Sequence, residues 1–300
     1  MFRKMSSAQI VALLVTVADL ALGGLISNGF IVTVTIRDWA KSKSLASSEQ
    51  LLLSLGISNL CAIVALYPYY LNAVSANIVS DKSKEKLFPF SVFIVTSRFW
   101  FTAWLCVFYC VKIVNSTQSL FLWWKRKISW LIPRLLVGSL IIPFLIGCYA
   151  SQNISVVLTI KSNTMTNVTN GTQGKTVKYL IDSFKFSYYI IGSGFPFLVV
   201  FFCSILVVGS LCRHICRIKG NKSSLKTLQT EAHMKAAGTV LYLLVLYISF
   251  VVAQSLATST PLEKKAAVLV TVVMMVYSPA QAAILVMVNP KLKQAAMQML

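Results

Sequence analysis

Long apolar runs separated by short polar ones set the pattern of this chain. Windows of mostly apolar residues recur near 8–34, 51–76, 88–114, 128–150, 185–211, 236–258 and 266–288. Each is at least the length of about 20 residues that a helix needs to cross a hydrocarbon core of about 30 Å. Hydrocarbon offers no partner to a backbone N–H or C=O, so each run must close its own hydrogen bonds as helix. The pattern predicts an all-α membrane protein, a single seven-transmembrane-helix bundle over residues 1–300. The first window starts close to Met1, is too long for a signal-peptide core and has no small-residue cleavage site behind it. It reads as the first helix.

Composition agrees, with 57% hydrophobic and only 12% charged residues, far from the soluble globular range. The net charge of +20 does not imply a nucleic-acid partner, because the basic residues sit between apolar spans and no loop is large enough for a binding domain. Membrane lipid headgroups and an acidic partner suit it better. The loops on the C-terminal side carry the denser basic clusters, such as Lys125, Arg126 and Lys127. By the positive-inside rule this favours a multi-pass protein of the plasma membrane with an extracellular N-terminus and a cytoplasmic C-terminus.

Asn153-Ile-Ser, Asn167-Val-Thr and Asn170-Gly-Thr, on or beside the longest connection, read as glycosylation acceptors. Asn115-Ser-Thr and Asn221-Lys-Ser fall on the opposite side, so sequons alone do not fix the orientation. All seven cysteines lie inside spans or at the C-terminal-side edge, which leaves no disulfide to tie the outer loops. Asp19, an acid in an apolar run, reads as interior-facing, most simply a buried polar tie between helices. Two histidines, no HExxH or GxSxG motif and no metal-ligand spacing point to a protein that is not an enzyme, with no metal and no cofactor.

One stretch carries more information. Phe108-Tyr-Cys-Val-Lys-Ile-Val-Asn-Ser closes the third span, with Tyr109 and Lys112 on one helix face, and Leu120-Phe-Leu-Trp-Trp-Lys follows. This resembles the FYxLKIANFS and FLxLK pattern of the type 2 taste receptors, the bitter receptors. Five further stretches match in order: Asn28-Gly-Phe-Ile-Val; Gln50-Leu-Leu-Leu-Ser-Leu-Gly-Ile-Ser; Phe195-Pro-Phe with Leu211-Cys-Arg-His; Leu228-Gln-Thr-Glu-Ala-His-Met-Lys-Ala; and Asn289-Pro-Lys-Leu-Lys-Gln. The chain departs from the family where Asn59 replaces the usual arginine of the second helix, and where Gln281-Ala282 replaces His-Ser or His-Pro in the seventh. The tryptophan and asparagine frequent in the third helix align with Ser91 and Val95.

The resemblance implies a G-protein-coupled receptor for small amphipathic bitter compounds, acting through a heterotrimeric G protein of the gustducin type. It implies an outward-facing ligand pocket at Tyr70, Ser91, Val95, Thr96, Tyr188, Phe250 and Thr271, with Tyr247 beneath. It also implies a G-protein surface at Tyr109, Lys112, His214, Arg217, His233 and Lys235. Pro196 in the fifth helix is a candidate bend point. Pairing with itself or with a second receptor stays open. Two alternatives fit less well: a pheromone-type receptor lacks the FYxLK and HxKA matches, and a small transporter would show an internal repeat and charged mid-membrane pairs.

Overall fold

The structure, a computed structural model, describes residues 7–74, 80–114, 119–164, 180–218, 224–259 and 263–299. It is helical almost throughout: α1 (Ser7–Ser42), α2 (Ser47–Val74), α3 (Asp81–Ile113), α4 (Ser119–Gly138), α5 (Ile141–Thr164), α6 (180–187), a π-helical segment (Tyr188–Gly194), α7 (Phe195–Ile218), α8 (Ser224–Ser259), α9 (Lys264–Val288) and α10 (Pro290–Met297). Among the described residues, seven helical stretches are long and apolar enough to cross a membrane. The fourth is built from α4 and α5, and the fifth from α6, the π segment and α7.

Several helices run past the windows that hydropathy marks. The first continues to Ser42 and stops where Lys43 turns into the left-handed region (φ 56°) and donates its N–H to the Trp39 carbonyl at 2.7 Å, a helix-ending geometry that caps orphan carbonyls. Apolarity ends where lipid ends, but backbone hydrogen bonding does not. Within the fourth crossing the helix breaks at residues 139–140. Pro143 lies four and three residues beyond; it has no N–H to offer the preceding turn, and its ring would crowd the carbonyl of residue 139.

The third crossing is the hub, since α3 packs against α2, α4, α5, α7 and α8. In its most apolar stretch 78% of residues are buried, against 17% in that of α1. The outer helices turn large apolar side chains such as Val11, Leu22, Ile26, Phe202 and Val245 away from the bundle, the face a helix shows to lipid. Gly24 stands where α1 meets α2: a Cβ there would sit 2.7 Å from Ile63 Cδ1, and that side-chain end would have to shift. Small residues at such crossings replace the hydrophobic drive that lipid removes. Asp19 is exposed on α1, facing away from the other helices, which corrects the expectation of a buried tie.

Candidate functional site

Two neighbourhoods flank α3. On the side of α1, α2 and α9 a polar seam crosses the bundle. Asn59 Nδ2 donates to Asn28 Oδ1 and to Gln281 Oε1, both at 2.9 Å. Gln281 Nε2 donates onward to Thr102 Oγ1 at 3.0 Å and to the Tyr277 hydroxyl at 3.3 Å. Asn28 Nδ2 donates to the Gly24 carbonyl at 2.9 Å and to Ser278 Oγ at 3.2 Å. Asn28, Asn59, Thr102 and Gln281 are fully buried. The two departures seen in the sequence, Asn59 and Gln281, are thus direct partners across 222 residues. Interhelical bonds of this kind contribute about 0.6–2 kcal/mol each in a membrane, and leaving one group unpaired costs more than the bond contributes.

On the side of α7 and α8 the core is aromatic. The Phe99 ring lies 4.6 Å from that of Tyr247 and 5.6 Å from Phe250, which in turn lies 5.1 Å from Tyr277. Into this cluster projects Arg98, 2% exposed, with its guanidinium carbon 4.6 Å from the Phe250 ring centre and 4.4 Å from that of Tyr277. Sequence reasoning passed over this residue, although a lone arginine inside an apolar run is a functional pointer by itself. Tyr70 and Tyr188 lie within electrostatic reach of the same cation.

The bend expected at Pro196 takes a specific form. The turn before it widens into the π segment, in which the Phe195 N–H reaches the Ile190 carbonyl five residues back. A Cβ on Gly194 would meet the Tyr189 carbonyl oxygen at 2.8 Å, so glycine is what lets this turn close. The widened turn leaves the Ser193 carbonyl available, and the Tyr247 hydroxyl of α8 donates to it at 2.6 Å. π turns inside α-helices mark functional positions more often than chance would give.

Beside this segment, between α3, α5, α6 and α8 at the N-terminal end of the bundle, lies a cavity of about 280 Å³. Its walls include Phe88, Val92, Ala150, Ile154, Phe184 and Tyr188, with Asn153, Gln254 and Thr258 among its polar atoms. A smaller space of about 20 Å³ lies between α1, α2, α3 and α9, bounded by Leu66, Tyr70, Arg98, Met274, Met275 and Ser278.

The ligand residues expected from the sequence are all buried but do not share one wall. Tyr188 lines the larger cavity and Tyr70 the smaller. Tyr247 and Phe250 belong to the aromatic cluster, and Val95 to the main hydrophobic core. The Ser91 and Thr271 hydroxyls donate within their own helices, to the Phe88 and Ala267 carbonyls at 2.8 Å each. Thr96 faces Gly192 of the π segment, its Oγ1 3.4 Å from where a glycine Cβ would stand. Asn153 is buried on α5 with Nδ2 donating to the Tyr149 carbonyl at 2.9 Å. The Asn153 sequon thus stands on α5 beside the larger cavity; Asn167 and Asn170 lie outside the described residues.

At the C-terminal end, Lys112 is exposed and sets its ammonium 4.4 Å from the ring centre of Phe108, one turn back, beside Tyr109. The side chains of His214, Arg217, His233 and Lys235 lie outside the described set. Glu49 of α2 accepts from the Lys291 ammonium of α10 at 2.5 Å, and this bond holds the Lys291 pKa above the usual lysine value. Asn289 caps α10 by accepting from the Lys291 and Leu292 N–H groups. The Asn-Pro-Lys-Leu-Lys stretch therefore folds as a short helix pinned back on the bundle.

Comparison with known proteins agrees with this geometry. The family model for the taste receptor protein (TAS2R) matches residues 4–300. Taste receptor type 2 member 4 of Homo sapiens is 29% identical over 286 residues, covering 92% of each chain. Its counterpart in Papio hamadryas is 30% identical over 292 residues, again covering 92% of each. Taste receptor type 2 member 41 of Pan troglodytes is 31% identical over 242 residues, covering 76% of this chain and 74% of that one. Among solved structures, squid rhodopsin superposes with a TM-score of 0.63 at 14% identity, covering 99% of this chain and 87% of its own. A match that runs nearly end to end on a seven-helix, rhodopsin-like bundle leaves one assignment: the chain is a multi-pass membrane receptor of the type 2, or bitter, taste receptor family.

Proposed function

We propose that this receptor binds small, mostly apolar organic compounds in the cavity of about 280 Å³ between α3, α5, α6 and α8, and that ligand binding there drives a gustducin-type G protein at the opposite end. The observation that carries the reading is the position of the cavity. It borders the π segment through Tyr188 and Tyr189, and that segment is tied to α8 by the Tyr247 bond to Ser193. The cavity sits near the lower end of the size range of small-molecule sites, and its apolar wall with a few polar atoms is the usual composition of one. A compound that fits better when the π turn is rearranged shifts the receptor toward that arrangement, because a ligand moves an equilibrium only by its differential affinity for the two states.

The orientation in this proposal puts the N-terminus outside the cell. The cavity then opens toward the extracellular side, and the C-terminal ends of α3 and α7 and the N-terminal end of α8 face the G protein. Basic residues there, Lys112, Arg217 and Lys235 among them, suit an acidic partner surface. Tyr109, His214 and His233 belong to the same surface by their positions in the family motifs. Ser91, Val95, Thr96, Tyr247 and Phe250 stand on α3 and α8, two of the helices that bound the cavity, and shape it, while Tyr188 touches the compound; Tyr70 and Thr271 stand on α2 and α9, away from it. Calcium release in cells expressing the chain with a gustducin-type Gα, screened against plant alkaloids, terpenoids and bile-acid-like compounds, tests this. A dose-dependent response that needs the Gα is expected, and none at verified surface expression contradicts it.

A further inference from the structure

Arg98 serves neither the polar seam nor the larger cavity. Its guanidinium carbon lies 4.6 Å from the Phe250 ring centre and 4.4 Å from that of Tyr277, and those two ring centres are 5.1 Å apart, so the rings gather on one side of the group. Nε and Nη2 are both buried and have no hydrogen-bond partner. These two nitrogens form one edge of the group, the side whose parallel N–H bonds match the two oxygens of a carboxylate. Among the described residues the only buried carboxylate is Glu49, and Lys291 holds it at the C-terminal end. Asp19 faces away from the bundle. A desolvated cation with its donors unmade is costly, and ring faces recover only part of that. Arg98 also bounds the smaller space, of about 20 Å³, which holds about one water and less than a carboxylate, so its walls must part to admit one. Met274 and Met275 beside it are side chains that repack readily.

We propose that Arg98 anchors the carboxylate of an amphipathic ligand in this second site, between α1, α2, α3 and α9, with the ligand's apolar body along Leu66, Tyr70 and Met274. The inference rests on the receptor reading above and narrows its ligand class to include organic acids. It does not use the larger cavity.

The test is ligand-dependent thermal unfolding of the purified full chain, which needs no G protein. Butyrate, benzoate, 4-phenylbutyrate and ibuprofen are each titrated against their own primary amide. At least one acid is expected to raise the unfolding midpoint at a concentration about tenfold below its amide, the effect of a charge-assisted pair of hydrogen bonds. Arg98→Gln is expected to abolish that preference. Arg98→Lys, which keeps the charge without the two-donor edge, keeps part of it. Equal midpoints for acid and amide throughout the series, including no shift by either, overturn the proposal. So does full retention of the preference in Arg98→Gln. Should Arg98→Gln fail to fold, the wild-type comparison and Arg98→Lys decide: an undiminished preference in Arg98→Lys overturns the two-donor anchor. A chain that prefers acids but gives no calcium response contradicts G-protein coupling and not this site. A chain that signals but shows no acid preference contradicts the site alone.

Discussion

The two sides of α3 solve the same problem in opposite ways. Toward α1, α2 and α9, amides and hydroxyls fill the crossing and, Asn59 Oδ1 apart, find partners at about hydrogen-bond distance, Asn59 to Gln281 at 2.9 Å being the central link. Toward α5, α6 and α8, apolar walls stand apart around about 280 Å³. A satisfied polar contact in lipid resists separation because each half would be left unpaired, whereas an apolar gap can be refilled by any apolar compound at little cost. The seam is where this bundle is held together and the gap is where it can be acted on. Arg98, at the junction, belongs to neither type. It is polar and buried like the seam, yet its edge is unpartnered like the gap.

Substitutions can break this contrast. The largest effect is expected from Gln281→Leu, which removes the acceptor from Asn59 Nδ2 and the donor to Thr102 Oγ1 and Tyr277, leaving Asn59 only its bond to Asn28, and costs about 1–3 kcal/mol. Thermal unfolding reads it, and adding Asn59→Leu is expected to cost less than a second full increment because the two groups share one bond. Additive costs would mean that the seam is not a network. Tyr247→Phe removes only the bond to Ser193 at 2.6 Å, about 1 kcal/mol. It is expected to raise ligand-independent signalling by loosening the π segment from α8, with surface amounts unchanged. Unchanged basal signal would detach that bond from activation. The smallest effect is expected from Thr271→Val, since this hydroxyl serves its own helix at 2.8 Å. Stability within about 0.5 kcal/mol of the original and an unmoved dose-response curve are expected, and a shifted curve would return Thr271 to a ligand contact.

Much of the fold was legible in the chain because lipid imposes a simple rule, and apolar runs of sufficient length have few alternatives to helix. The ends were less legible. Nothing in hydropathy marks Ser42 as the close of α1 or residues 139–140 as a break. Both follow from backbone geometry at Lys43 and ahead of Pro143. The site was read in pieces. Asn59 and Gln281 stood out as separate departures, and only the packing of α2 on α9 makes them one feature. Asp19 was favoured as a buried charge by its apolar neighbours, but neighbours in sequence on a helix do not share a face, and its own face is turned outward. Arg98 carried the same signal in Val-Thr-Ser-Arg-Phe-Trp; attention to acids missed a cation. The larger cavity lies partly against α5 and α6, which flank the longest connection, where no motif pointed.

The central claim is that a ligand acts from the gap beside the π segment. Ala150, fully buried on that wall, offers the direct test: Ala150→Leu fills part of the cavity without touching the seam. Dose-response curves for calcium release, with wild type and variant at equal surface amounts beside a gustducin-type Gα, decide it. The account predicts a Gα-dependent response in wild type, with half-maximal concentration raised about tenfold in Ala150→Leu, the equivalent of about 1.4 kcal/mol of lost binding. Superimposable curves for every active compound would contradict it.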